Sequence, residues 1–329
     1  MQRTLFVTKV LLFTSTTFVL SALGGCDAGV DPVSDEGREV AEDLSINASA
    51  LGSVHIPGYQ IVVKDISVPG TPISAASVAV TESIACPTGK LVLSGGAIPA
   101  NTGAFQVISL AESGPDPSSP SSPTAWRVGL VNRDSLQRQM LLVAVCANRL
   151  PGYEVARRAF SVAPSQWVRD TASCPTGKVA LGGGATVSGG SGRQVFGQSA
   201  PGTLGGNAVW LASMLNGAST AKTVVVAAIC ADRTGLAGYE VVTRESTVAR
   251  AAGVTAQSSL CPSGKTVVGG GAREVRSGSS STMTLFASGP SSTLGGDGFG
   301  WQANVLSFAT SDQGSSTMVG TSAICINRN

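Results

Sequence analysis

Lysine, tryptophan and cysteine recur in this chain three times in the same order, and each type is able to do chemistry. Lys90, Lys178 and Lys265 end the segments Cys86-Pro87-Thr88-Gly89-Lys90, Cys174-Pro175-Thr176-Gly177-Lys178 and Cys261-Pro262-Ser263-Gly264-Lys265. A cation repeated at three equivalent turns suits an anionic polymer, because weak sites gain apparent affinity when several engage at once. Trp126, Trp210 and Trp301 recur downstream and are of the type that stacks on sugar rings. Both sets have a plainer reading. Turn lysines are commonly solvated, and tryptophans on apolar strands beside a disulfide commonly belong to the core.

Acid–base chemistry has less to work with. His55 is the single histidine and lies outside every repeat, with no repeated nucleophile beside it in sequence. No acidic residue stands at one position in all three units: Glu154 and Glu240 match, but Gln60 takes that place in the first. The Gly-Lys pairs do not make a phosphate loop, since Ile84, Ala172 and Ser259 stand where its first glycine is required. No catalytic residue, metal site or cofactor is expected.

Six of the seven cysteines fall into three pairs. Equivalent units should close alike, which selects Cys86–Cys146, Cys174–Cys230 and Cys261–Cys325 from the fifteen pairings that six cysteines allow. Closing each loop stabilises a unit by roughly 4 kcal/mol on the chain-entropy account. No Cys-x-x-Cys spacing supports zinc.

The elements that position these residues repeat with them. Each unit opens with Gly-Tyr (Tyr59, Tyr153, Tyr239) and carries a glycine-rich run ending at Ala97, Ala185 or Ala272. A Ser-x-Pro follows (Ser113, Ser199, Ser288), then the tryptophan, then Asn132, Asn216 or Ser307, and an apolar run into the second cysteine. A fixed period decides architecture ahead of any local signal. Apolar runs such as Val224–Cys230, turn chemistry at Pro-Thr-Gly-Lys and no strong helical period predict an all-β chain. It divides into three tandem disulfide-closed antiparallel β repeats of about 85–93 residues, at 57–150, 151–236 and 237–329. The joints are too short for a string of beads, so the repeats should pack closely, with pseudo-threefold symmetry. β-Trefoils and β-prisms use units about half as long, which counts against both. Glycine weakens a strand, so its repetition predicts a close approach, with the tryptophan or the disulfide lying on it. Arg149, Arg233 and Arg328 are expected to pair with a neighbour's opening strand, given Glu154 and Glu240 nearby.

The first 25 residues read as a signal peptide, with Arg3 and Lys9 ahead of an apolar stretch from Val10 to Leu23. Leu23-Gly24-Gly25-Cys26 resembles the lipobox of bacterial lipoproteins, which implies a lipid on Cys26. Residues 26–56 then form a lipidated cysteine and an acidic tether, with seven acids against Arg38 alone over 27–50. Cys-Pro-x-Gly-Lys followed by Gly-Gly-Gly-Ala resembles repeats of exported bacterial proteins without assigned activity.

These features predict a non-enzymatic lipoprotein, lipid-anchored in the bacterial cell envelope, that displays a multivalent binding or adhesion module for polysaccharide. A structural or assembly component of the envelope, with an envelope protein as partner, is the alternative. A hydrolase of wall or matrix polymer is the second. The repeats carry a mild basic excess without basic blocks, which argues against nucleic acid.

Overall fold

A computed structural model describes residues 56–71, 78–101, 104, 106–189, 193–275, 283–291, 299–308 and 316–328. The stretches read above as a signal peptide and tether, with Cys26 and His55, lie, up to residue 55, outside the described residues. Six strands fall in each repeat. They are β1 (Gln60–Val68), β2 (Val78–Ala85), β3 (Leu91–Pro99), β4 (Ile108–Pro115), β5 (Ala125–Asn132) and β6 (Arg138–Ala147) in the first. The second has β7 (Glu154–Val162), β8 (Trp167–Ser173), β9 (Lys178–Ser188), β10 (Gln194–Leu204), β11 (Asn207–Asn216) and β12 (Lys222–Asp232). The third has β13 (Glu240–Ala249), β14 (Val254–Leu260), β15 (Lys265–Glu274), β16 (Met283–Ser291), β17 (Gly300–Ser307) and β18 (Ser316–Asn327). Among the described residues, the 3-10 turns Arg233–Gly235 and Arg250–Ala252 accompany them.

No sheet belongs to a single repeat. The strands form three antiparallel six-stranded sheets in the orders β1-β6-β3-β16-β17-β14, β13-β18-β15-β10-β11-β8 and β2-β5-β4-β9-β12-β7. Each repeat is a two-layered wedge, and each layer continues into a layer of a different repeat. The third strand of one repeat meets the fourth strand of another: β9 with β4, β15 with β10, and β3 with β16. These contacts run first to second, second to third and third back to first, so the repeats close into a ring with threefold pseudosymmetry. The long unit supplies enough strands for half of each of two sides, giving a three-sided, prism-like body.

The repeated motifs explain the junctions. Ala185, Ala272 and Ala97 are the ladder partners of Ser113, Ser199 and Ser288. The glycine just before each alanine receives that serine's carbonyl. A Cβ on Gly184, Gly271 or Gly96 would lie 1.9, 1.9 or 1.7 Å from it. The middle glycine serves its own unit. A Cβ on Gly95, Gly183 or Gly270 would fall 2.6, 2.4 or 2.4 Å from the ring of Trp126, Trp210 or Trp301. The expected aromatic on a glycine floor is therefore the tryptophan. Each indole donates a hydrogen bond to the serine of its own Ser-x-Pro, at 3.0, 2.9 and 2.8 Å. Burying one such ring contributes about 5 kcal/mol from some 200 Å² removed from water, an upper estimate.

Nearer the axis, Gly182 and Gly269 approach the carbonyls of Leu93 and Leu181. The first repeat has serine instead, and Ser94 Oγ donates to Val268 O at 2.6 Å. A β-bulge in each third strand frees one further carbonyl. The tyrosines take these across repeats: Tyr59, Tyr153 and Tyr239 donate to Val267, Val92 and Ala180 at 2.6, 2.8 and 2.8 Å. The disulfides join the predicted pairs, with Cα atoms 5.6–5.8 Å apart, and tie the connection after the second strand to the sixth.

Two predictions follow from this packing. Gly183→Ala should lower stability by about 3 kcal/mol, because Ala227 O and the Trp210 ring occupy the added Cβ's place. Gly205→Ala, at φ 58° with nothing within 4 Å, should cost only about 1 kcal/mol. Urea unfolding of the two variants reads the difference. Burial also pushes the Tyr59 hydroxyl up to about 12, against the lowering influence of Thr266 and Arg328, and raises Tyr153 and Tyr239. A raised phenol favours the folded state below its unfolded value near 10 and loses that contribution as pH climbs through the folded value. Stability should hold to about pH 10 and then fall by about pH 12. Tyrosinate absorbance should rise together with loss of the β signal; tyrosinate forming in an intact fold would contradict it.

Candidate functional site

The repeated residues that looked able to bind are turned inward or already partnered. Trp126, Trp210 and Trp301 are 1 % exposed and show no face to a ligand. Lys178 Nζ donates to Gly152 O at 2.8 Å and pairs with Glu154. Lys265 donates to Gly238 O at 2.7 Å and pairs with Glu240 at 2.6 Å. Lys90 donates to Gln60 Oε1 at 2.7 Å, so the residue that broke the acidic pattern still accepts from its lysine. Each lysine thus locks the turn after its cysteine onto the first strand of its own repeat. Glu154 and Glu240 go to these lysines, which corrects the expectation that the arginines take them. The guanidinium groups of Arg149 and Arg233 lie instead over the Tyr153 and Tyr239 rings, at 5.7 and 5.8 Å, and that of Arg328 over Phe299 at 4.5 Å.

One stretch of open space lies where the repeats differ. Two adjoining hollows, of about 670 and 330 Å³, run along the junction of the second and third repeats. Gly202, Thr203 and Arg273 line both, making one groove. The larger hollow reaches Arg233, Tyr239 and Thr243; the smaller reaches Arg169 and Thr171 on β8. Leu204, 59 % exposed, stands at the rim. Ile98 and Thr186 take the place of Arg273 in the other repeats.

A short turn keeps the groove open. β10 and β11 are joined by Gly205-Gly206 alone, with φ of 58° and 82°. Positive φ at both positions is what a two-residue hairpin needs, and glycine meets it without strain. In the first repeat the same hairpin carries the insertion 116–124. That insertion reaches the second repeat at the first junction. Arg157 Nε, on the strand position matching Thr243, donates to Pro120 O at 3.1 Å. Arg149, which matches Arg233, donates to Ser122 Oγ at 3.0 Å. The first junction is thus covered by a loop of the chain itself, whereas among the described residues no loop covers the second.

The electrostatics of the groove follow from what is already paired. Asp170 bonds Arg158 at 3.0 Å and Glu240 bonds Lys265. Arg169, Arg233 and Arg273 have no carboxylate partner among the described residues. Arg273 Nε is buried without a hydrogen-bond partner among them. Three uncompensated guanidinium groups over a floor of glycine and threonine can hold anionic or hydroxyl oxygens. Sequence reasoning passed over Arg273 because it searched for residues that repeat. The signal that could have found the groove was the contrast between the insertion at 116–124 and the bare Gly205-Gly206.

The chain matches no protein-family model, and a search among curated proteins gives no match.

The lysines' role has a direct check. Lys178→Met should lower stability by about 1 kcal/mol, the scale of a partly exposed charged hydrogen bond and its screened ion pair. Thermal unfolding measures it. No change would mean that the lysine is free for a ligand.

Proposed function

We propose that the protein is a non-enzymatic lipoprotein of the bacterial cell envelope, anchored through Cys26, whose folded body is a polysaccharide-binding or adhesion module. The observation that carries the binding role is the groove at the second junction. A polymer strand suits it: two adjoining hollows open at the surface, floored by glycine and threonine, and edged by donors that can meet ring hydroxyls and carboxylates. The leader and its lipobox support the location. Multivalency, on this reading, comes from many tethered copies on one surface, because the three junctions differ.

The alternative is a structural or assembly role in the envelope. Its support is that the repeated side chains are engaged within the protein and present no repeated ligand set. A stable envelope protein co-purifying with the anchored form would favour it.

The test fills the groove. Replacing Gly205-Gly206 with residues 116–124 of the first repeat should cover the second junction as the first is covered. Wild-type and grafted proteins are compared for binding across a panel of cell-wall polymers and glycans. We expect specific binding by the wild type and at least a tenfold loss in the graft, with thermal stability kept. Equal binding by a folded graft would remove the groove from the proposal.

A further inference from the structure

We infer that the groove takes the anionic groups of an acidic polysaccharide, and that Arg273 is the residue that fixes them; this rests on the binding role proposed above and names its ligand class. Charge comes first. Arg169, Arg233 and Arg273 face the two hollows without carboxylate partners among the described residues, while the groove's acids, Asp170 and Glu240, are held by Arg158 and Lys265. Guanidinium groups so placed favour carboxylate or sulfate, which they can grip through two N–H donors at once.

Position comes next. Arg273 stands where the hollows meet, and its Nε is buried with no partner among the described residues. Because Arg273 borders both hollows, an anionic group lying in either one meets the same cation. The first junction shows what such a partner looks like. There an extended stretch of chain gives Pro120 O to Arg157 and Ser122 Oγ to Arg149. An acidic glycan strand at the second junction supplies oxygens to Arg233 in the same way. It adds the charge that Arg169 and Arg273 leave unmet. Since Ile98 and Thr186 replace Arg273 elsewhere, each protein holds one strand, not three.

The experiment measures binding of the full-length protein, in detergent, to three probes: polygalacturonate, a uronate polymer; dextran, a neutral glucan; and polyglutamate, an acidic polymer that is not a saccharide. Polygalacturonate should bind at least tenfold more tightly than dextran or polyglutamate, and more weakly as salt rises. Arg273→Met should cost at least tenfold in that affinity. Arg169→Gln, at an exposed position, should cost about threefold, since a solvent-exposed charge contact is worth little, and guards against misfolding of the first variant. Dextran binding as tightly as polygalacturonate, with Arg273→Met indifferent, would overturn the acidic ligand but leave the binding module standing. Polyglutamate binding equally well would overturn the saccharide class. No binding of any probe, together with none across the wider glycan panel, would overturn both.

Discussion

The fold depends on how closely two backbones approach at each junction. A serine carbonyl from one repeat sits where a side chain would stand on the third glycine of another. With any larger residue there, the strands could not meet, and the three sheets would each break in half. The neighbouring residues follow from that contact. Alanine pairs with the serine, the serine hydroxyl satisfies the buried indole, and the indole covers the middle glycine. Two residues after the serine, proline pairs with the tryptophan and removes one N–H from its strand. Backbone contact, indole and proline form one interlocked set, built three times.

The three junctions share a geometry but differ in chemistry just beyond it. In the first, Glu112 bonds Arg127 at 2.9 Å and accepts from Val187 N at 2.7 Å. In the second, Gln198 accepts from Glu274 N at 3.2 Å and donates to Glu274 Oε2 at 3.3 Å. In the third, alanine (Ala287) takes the place of Glu112 and Gln198, and proline (Pro99) the place of Val187 and Glu274. Where the side chain that would accept is missing, the N–H that would need it is missing too. At this pair of positions each junction is matched to itself, and a strand exchanged between junctions would leave a buried polar group without its match.

Much of this architecture was legible because periodicity converts local residues into shared roles. Strand class, the disulfide pairing and the tryptophan on its glycine floor all follow from aligning three copies. What was not legible is which copy each side chain serves. The tyrosines look like residues of their own units but bond bulge carbonyls in another, and nothing local distinguishes the two. Glu154 and Glu240 were assigned to arginines close in sequence, although lysines more than twenty residues away hold them. The groove escaped notice for the opposite reason. It comes from a missing insertion and an arginine present once, and an alignment of repeats discards both.

The proline at the third junction has a further bearing on how the protein comes into being. Strand β3 is made early, but its partner β16 comes from the last repeat, so one edge of β3 stays open while most of the chain is synthesised. An open edge of glycine-rich backbone invites pairing with other chains. Pro99 removes a donor from that edge, so the strand that waits longest is also the one least able to pair wrongly. The ring's last seam is in this sense protected before it is sewn.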